Sequence, residues 1–357
     1  MIAPVNLCTA PLRVVETVVG RIVDVILHLG AHRCATRTLQ TFLGRNAETL
    51  NRAGIALWLP EQTRTGLFTG LTGHPEDATA ITARRAARAC GLIRIETERA
   101  RSKGMQQVIV SQANMIGAPR DNLRQAQLYP DLDRRLSRFQ AAFGGHCTRI
   151  GLAIRSHDSF WASALAGAVA QGHRLPDPAG IDRLVSQPRR WRDVIRDIAG
   201  IFPKADIHVW PFERFAAQPD RQLAILSGGL SGGLRLTGRR EWQNPSPRLD
   251  HLRDILCQRG DPDSASSLPP GPDRWTPFDA DQQAALRSQY QADLAWLRSD
   301  AAGLAKLIEH DTIRPAMSGA APIQTIDLTE TTVITGPVRP RRPAAGGNRD
   351  AKQGHLG

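Results

Sequence analysis

His28-Leu-Gly-Ala-His-Arg-Cys-Ala-Thr-Arg-Thr-Leu-Gln40 is the stretch on which the reading of this chain turns. It follows Ile22–Leu29, a short β-branched apolar run that ends at Gly30 and reads as a buried strand. It opens Thr36 to Arg52, where Leu39, Phe42, Leu43 and Leu50 fall on one helical face and Gly54 supplies the stop. A strand that turns directly into a helix aims backbone N–H groups and the positive helix end at an anion. Arg33 adds a forked cation, and Thr36 and Thr38 add hydroxyl donors. A plain strand–turn–helix with incidental polar residues is the competing interpretation.

The pattern is not that of a Walker A loop, which needs two glycines and then Gly-Lys-Ser/Thr. Here Ala35 stands where a second glycine would sit, and Arg33 precedes it.

Working outward, strands and helices alternate. Val108–Val110, Thr148–Ile154 and Ala205–Trp210 read as further strands. Helical patterns cover residues 76–102, Leu132–Phe143, Ser159 to Gln171, Pro188–Ala199 and Asp279–Glu309, the last with Leu286, Tyr290, Leu294, Leu297 and Leu304 as its stripe. Residues 60–75, Gly228–Gly233 and Arg259–Pro277 read as loops. The alternation predicts an α/β fold with a parallel sheet flanked by helices. The expected organisation is an extension over 1–20, an α/β domain over 21–310 and a disordered tail over 311–357.

With 357 residues, 41% apolar and 22% charged, fibrous and wholly disordered classes are excluded. No run reaches the ~18 apolar residues of a membrane span, and no secretory signal is evident. The formal charge is +12, and of 46 basic residues only Lys103, Lys204, Lys306 and Lys352 are lysine. The sign favours an anionic ligand. The basic residues are spread rather than clustered, so no nucleic acid partner is expected. Five cysteines without a C-x-x-C pair argue against a disulfide framework and fit a reducing cytoplasm. Histidine spacing suggests no metal site.

A second anion site is read in Ile154-Arg-Ser-His-Asp-Ser-Phe-Trp-Ala-Ser163, with Arg155 at a strand end and Ser163 eight residues on. An Arg fork and a hydroxyl in a helix's first turns make a phosphate clamp. By itself an R-x7-S spacing is also compatible with a surface Arg and a packing Ser. Both motifs begin at a strand's carboxyl end, where open α/β sheets bind ligands.

Together the two segments resemble the sulfotransferases that use 3′-phosphoadenosine 5′-phosphosulfate (PAPS). The first is particularly similar to bacterial members with a His-(Ile/Leu)-Gly-Ala-(His/Pro)-Lys-Thr-(Gly/Ala)-Thr-Thr-Ser-Leu-Gln loop: Gly30, Ala31, His32, Ala35, Thr36, Leu39 and Gln40 match. Arg33, Cys34 and Arg37 depart from Lys, Thr and Thr. Weaker likenesses run through Val110–Gly117, where Gln112 and Ala113 replace acids, and through Val209–Glu213, Asn244–Pro247 and Tyr290–Leu297.

The resemblance covers roughly residues 22–300. It implies a fold like that of nucleotide kinases. Gly30, Ala31, His32, Arg33, Cys34, Ala35, Thr36, Arg37 and Thr38 would then form the 5′-phosphosulfate loop, and Arg155 and Ser163 would hold the 3′-phosphate. Arg33 would neutralise the leaving oxygen. His28 and His32 flank the loop, and either imidazole suits a general base for the acceptor; His28 is nominated. The acceptor is expected to be a small molecule or carbohydrate offering a hydroxyl or amine. A P-loop-like kinase or NTPase, and a non-catalytic nucleotide- or polyanion-binding relative, remain as alternatives. Glu213 is read as structural; Trp161, Trp191, Trp210 and Trp242 are read as core or as stacking platforms.

Overall fold

A computed structural model describes residues 23–310 except Ala78 and Asn244. The extension expected over 1–20 and the tail over 311–357 lie outside the described residues.

Six strands form one all-parallel sheet: β1 (Asp24–Gly30), β2 (Ile55–Trp58), β3 (Gln107–Ser111), β4 (Cys147–Ile154), β5 (Asp206–Pro211) and β6 (Lys306–Leu307). Their order is β2-β3-β1-β4-β5-β6. The anticipated α/β class is the observed one. β1 is central because Val25, Ile26, Leu27 and Leu29 are apolar on both faces, and all are buried. Only a strand covered by helices on both sides hides such a run. From β1 the chain builds β2 and β3 on one side, then crosses to β4 and β5 on the other. The crevice of a doubly wound sheet opens at such a reversal, above the strands' carboxyl ends. Here those are the ends of β1, β3 and β4.

Several boundaries differ from the sequence reading. The helix expected over 36–52 is two, Thr36–Arg45 and Ala47–Arg52. The break is Asn46, whose side chain donates to the Phe42 and Thr237 carbonyls and accepts from the Thr237 N–H. An Asn that satisfies backbone groups in this way competes with helix continuation. Residues 60–75 are not simply a loop: Pro60–Gln62 is a short helix, and Thr63–Leu67 a π-helical turn pinned by buried Leu67, Phe68 and Leu71. Within the Pro-rich stretch, Pro262–Ser267 is helical.

The helix expected from Pro188 starts at Trp191, after Pro188 rather than at it. The C-terminal helix is Ala280–Arg298, shorter than expected. Asp300, Ala301 and Ala302 take positive φ and turn the chain back to pair β6 with β5. Leu304 therefore leaves the apolar stripe and is exposed. Helices Pro178–Ser186, Pro219–Ser227 and Leu249–Gln258, and strands β2 and β6, have no counterpart in the sequence reading.

Candidate functional site

The turn between β1 and the Thr36–Arg45 helix is held by its own backbone. The Ala31 N–H donates to the Ala153 carbonyl of β4 (3.1 Å), and the His32 N–H to the Tyr129 hydroxyl (3.0 Å). Thr36 Oγ1 donates back to the Ala31 carbonyl at 2.7 Å. Arg33 and Ala35 sit at φ 60° and 58°, in the left-handed region that non-glycine residues rarely occupy. Left-handed residues alternating with right-handed ones turn successive N–H groups toward one point, a concavity suited to an anion. Ala35 adopts the conformation that glycine usually supplies.

Arg33 extends across to the His157–Ala170 helix. Its Nε donates to Ser163 Oγ (2.8 Å) and its Nη2 to Ser246 Oγ (3.0 Å), and the two serine hydroxyls lie 2.6 Å apart. Arg155, at the end of β4, donates from Nη1 to the Arg33 carbonyl (2.8 Å) and from Nε to Ser159 Oγ (2.9 Å). Its guanidinium lies 4.3 Å over the Phe212 ring. The main chain at Arg155 is braced in turn, because Trp191 Nε1 donates to the Arg155 carbonyl (2.7 Å). Burial lowers the proton affinity of both guanidiniums. A half-buried guanidinium in the same cavity as a buried one raises the demand for an anion there.

Arg33, Arg155 and Ser163 line one cavity of about 550 Å³, within the range of ligand sites. Six arginines line it: Arg33, Arg37, Arg64, Arg155, Arg248 and Arg274. Glu61 is the single carboxylate among its lining residues.

The other anticipated residues divide. His32, Ala35, Thr36 and Arg37 line the cavity. Gly30, Ala31 and Cys34 form the turn behind it. Burial pushes the Cys34 thiol up to about 12, so it stays protonated. Thr38 is buried against Gln243, whose N–H it accepts at 3.0 Å, and is not among the lining residues. Ser163 stands with Arg33 rather than with Arg155.

His28 is fully buried behind the loop. Its Nδ1 is 2.8 Å from Ser111 Oγ, its ring stacks on Trp210, and burial lowers its pKa to about 3. It does not reach the cavity, so the base role is not assigned to it. His32 reaches the cavity, but its Nε2 donates to Asn114 Oδ1 and its Nδ1 accepts from Tyr129; burial lowers it to about 4.

Glu213 is a bracket rather than a cavity group. It accepts from the Ser156 N–H (2.8 Å) and from the Tyr290 hydroxyl (2.9 Å), fixing the start of the helix after Arg155. Trp161, Trp191 and Trp210 are core; Trp242 is the one of the four that lines the cavity. Ala113 lines it as well.

Sequence reasoning missed Ser246, Arg248, Arg274, Arg64 and Glu61. Ser246 lies in the segment Asn244–Pro247 whose likeness was noted, and that was its available signal. Among the described residues no group of three His, Cys, Asp or Glu could hold a metal ion, and no helix is long and apolar enough to cross a membrane.

No family model matches this chain, and no curated protein or solved structure matches it either.

Proposed function

We propose that this protein is a sulfotransferase that moves a sulfuryl group from PAPS to a hydroxyl or amine. The observation that supports it most is the joint placement of Arg33, at the end of β1, and Arg155, at the end of β4, in one arginine-rich cavity of about 550 Å³. A nucleotide with anionic groups at both its 5′ and 3′ ends needs cations at two points. The fit rests on how Arg33 is satisfied. Its donors meet two neutral serine hydroxyls, which anionic oxygens would replace with gain.

PAPS supplies an activated sulfuryl group on a phosphate leaving group. Arg33 would meet the charge that grows on the bridging oxygen, helped by the orphan N–H groups at the helix start. Arg155, with Arg248 and Arg274 nearby, would hold the opposite phosphate. Glu61, as the lining carboxylate, would accept the acceptor's proton while the sulfur–oxygen bond to phosphate breaks and the bond to the acceptor forms. The leaving group departs as 3′-phosphoadenosine 5′-phosphate (PAP). Positioning and electrostatics carry such a transfer.

A kinase reading is less well supported, because β3 runs into Ser111-Gln112-Ala113 without a carboxylate for magnesium. Ala113 in the cavity wall favours, as a second reading, a binding relative without turnover. The four cysteines among the described residues are free, which accords with a cytoplasmic setting.

Calorimetric titration tests the proposal. PAP should bind at least tenfold more tightly than ADP, which lacks the 3′-phosphate. Equal or tighter binding of Mg-ATP would replace this reading with a kinase.

A further inference from the structure

Resting on the PAPS reading, we infer that Trp191, with Asp293 behind it, is a positioning residue for Arg155: it fixes the Arg155–Ser156 peptide and so aims the Arg155 guanidinium at the phosphate. Both edges of that peptide are pinned. Trp191 Nε1 donates to the Arg155 carbonyl (2.7 Å), and the Ser156 N–H donates to Glu213 Oε1 (2.8 Å). A peptide unit is planar, so a hydrogen bond at each edge leaves it little freedom to tilt.

The two pins lead to one helix, Ala280–Arg298. Tyr290 donates to Glu213 Oε2 (2.9 Å), and Asp293, one turn further along, holds Trp191. Asp293 is fully buried. Its Oδ2 accepts the Trp191 main-chain N–H (3.1 Å) and lies 3.2 Å from His157 Nε2, and its Oδ1 accepts from Arg192 Nε (2.7 Å). Trp191 opens the Trp191–Ile201 helix, whose first N–H groups have no partner within the helix. A carboxylate from another helix meets that end and suits its dipole. The Trp191 ring is held too: His157 stacks on it at 6.0 Å and 14°, and Phe160 meets it edge-on at 5.3 Å.

An apolar residue could fill the place of Asp293 without the desolvation that burying a carboxylate costs. The carboxylate instead starts a hydrogen-bonded path that runs from Asp293 through Trp191 to Arg155, and from Arg155 Nη1 to the Arg33 carbonyl. Asp293, Trp191 and His157 are not among the residues lining the cavity. Their effect on an anion there must pass through the residues they hold. A cation set in place before the nucleotide arrives binds it without the cost of ordering a long side chain.

The test is a double-mutant cycle on PAP affinity, by calorimetric titration of the full-length parent, Trp191→Phe, Arg155→Ala and the double variant. Phenylalanine keeps a ring against His157 but has no N–H for the Arg155 carbonyl. The expected result is that Trp191→Phe raises the PAP Kd at least fivefold in the parent and less than twofold in the Arg155→Ala background, where no guanidinium is left to aim. A merely structural loss would weaken PAP by the same factor in both backgrounds. That result, or no weakening in the parent, overturns the inference while leaving the PAPS reading intact. Failure of PAP to bind the parent chain overturns the PAPS reading itself, and the inference with it. Circular dichroism of each variant reports the fold. Should Trp191→Phe unfold, Tyr290→Phe, which deletes one hydroxyl behind the other pin, must show the same coupling to Arg155→Ala, and equal effects in the two backgrounds overturn the inference.

Discussion

The Arg155 guanidinium donates to the main-chain carbonyl of Arg33 at 2.8 Å, so the residue that ends β4 holds the loop that ends β1. Arg155 is therefore both a candidate ligand for phosphate and a clamp on Arg33, whose left-handed φ of 60° needs such support. A change at either residue must be judged for its effect on the other.

Arg33→Ala and Arg155→Ala should fail differently. On the proposed reading Arg33 would meet charge that develops during transfer, so its loss should reduce turnover more than PAP affinity. Arg155 would meet charge that stays constant, and its loss should weaken PAP binding by about 1.5–3 kcal/mol. Because Arg155 also clamps the loop, Arg155→Ala should lower kcat somewhat as well. Arg33→Lys should retain activity. Titration with PAP beside turnover measures all three; unchanged PAP affinity in Arg155→Ala would remove the 3′-phosphate assignment.

PAP should raise the melting temperature of the parent chain, with about 2.7 kcal/mol of added stability at a hundred times its Kd. Differential scanning fluorimetry across a PAP series measures it, and a Tm that does not move at saturating PAP contradicts binding.

Acid should destabilise the fold through buried histidines. Burial lowers His28 to about 3, and His32 and His208 to about 4. Their folded pKa values lie below the unfolded 6.5, so the unfolded chain binds more protons in that window. Stability is fully present above about pH 6.5 and falls as pH drops toward 4 and 3. In His28→Asn the slope of unfolding free energy between pH 6.5 and 5 should shrink by up to about 1.4 kcal/mol per pH unit. Urea denaturation at several pH values gives that slope; equal slopes in parent and variant would show that His28 does not titrate with folding.

Tyr129→Phe should loosen the loop without touching a charge. The Tyr129 hydroxyl accepts the His32 N–H and donates to its Nδ1. Removing it leaves both without that partner, at a cost of about 1–3 kcal/mol. Denaturant melts should show the loss, and PAP affinity should fall with it. A variant as stable as the parent would mean that the loop holds its shape by other contacts.

Gly151→Ala should destabilise the sheet. A Cβ there would lie 2.4 Å from a Leu226 methyl and 2.7 Å from the Trp210 ring. Overpacking of this kind costs about 1–3 kcal/mol. Its readout is a lowered denaturation midpoint, and a midpoint within error of the parent would show that Leu226 moves aside freely.

The contiguous parts of the molecule are legible in the chain alone. The run into Gly30, the turn through Ala35 and the apolar face of Leu39, Phe42 and Leu43 are local signals, and they specify a buried strand feeding a helix. The same holds for Arg155 at the end of β4 and for the alternation that makes the sheet parallel. Tertiary structure decided the rest. Arg33 meets Ser163, 130 residues away, and Ser246, 213 residues away, because the crossover from β3 past β1 to β4 brings those elements together. Arg64, Arg248 and Arg274 look like solvated arginines in a chain rich in them, and only the folded crevice gathers them with Glu61. His28 shows the opposite case. Beside a phosphate-type loop it reads as a base, yet both faces of a central parallel strand are covered, and that burial takes it out of the site.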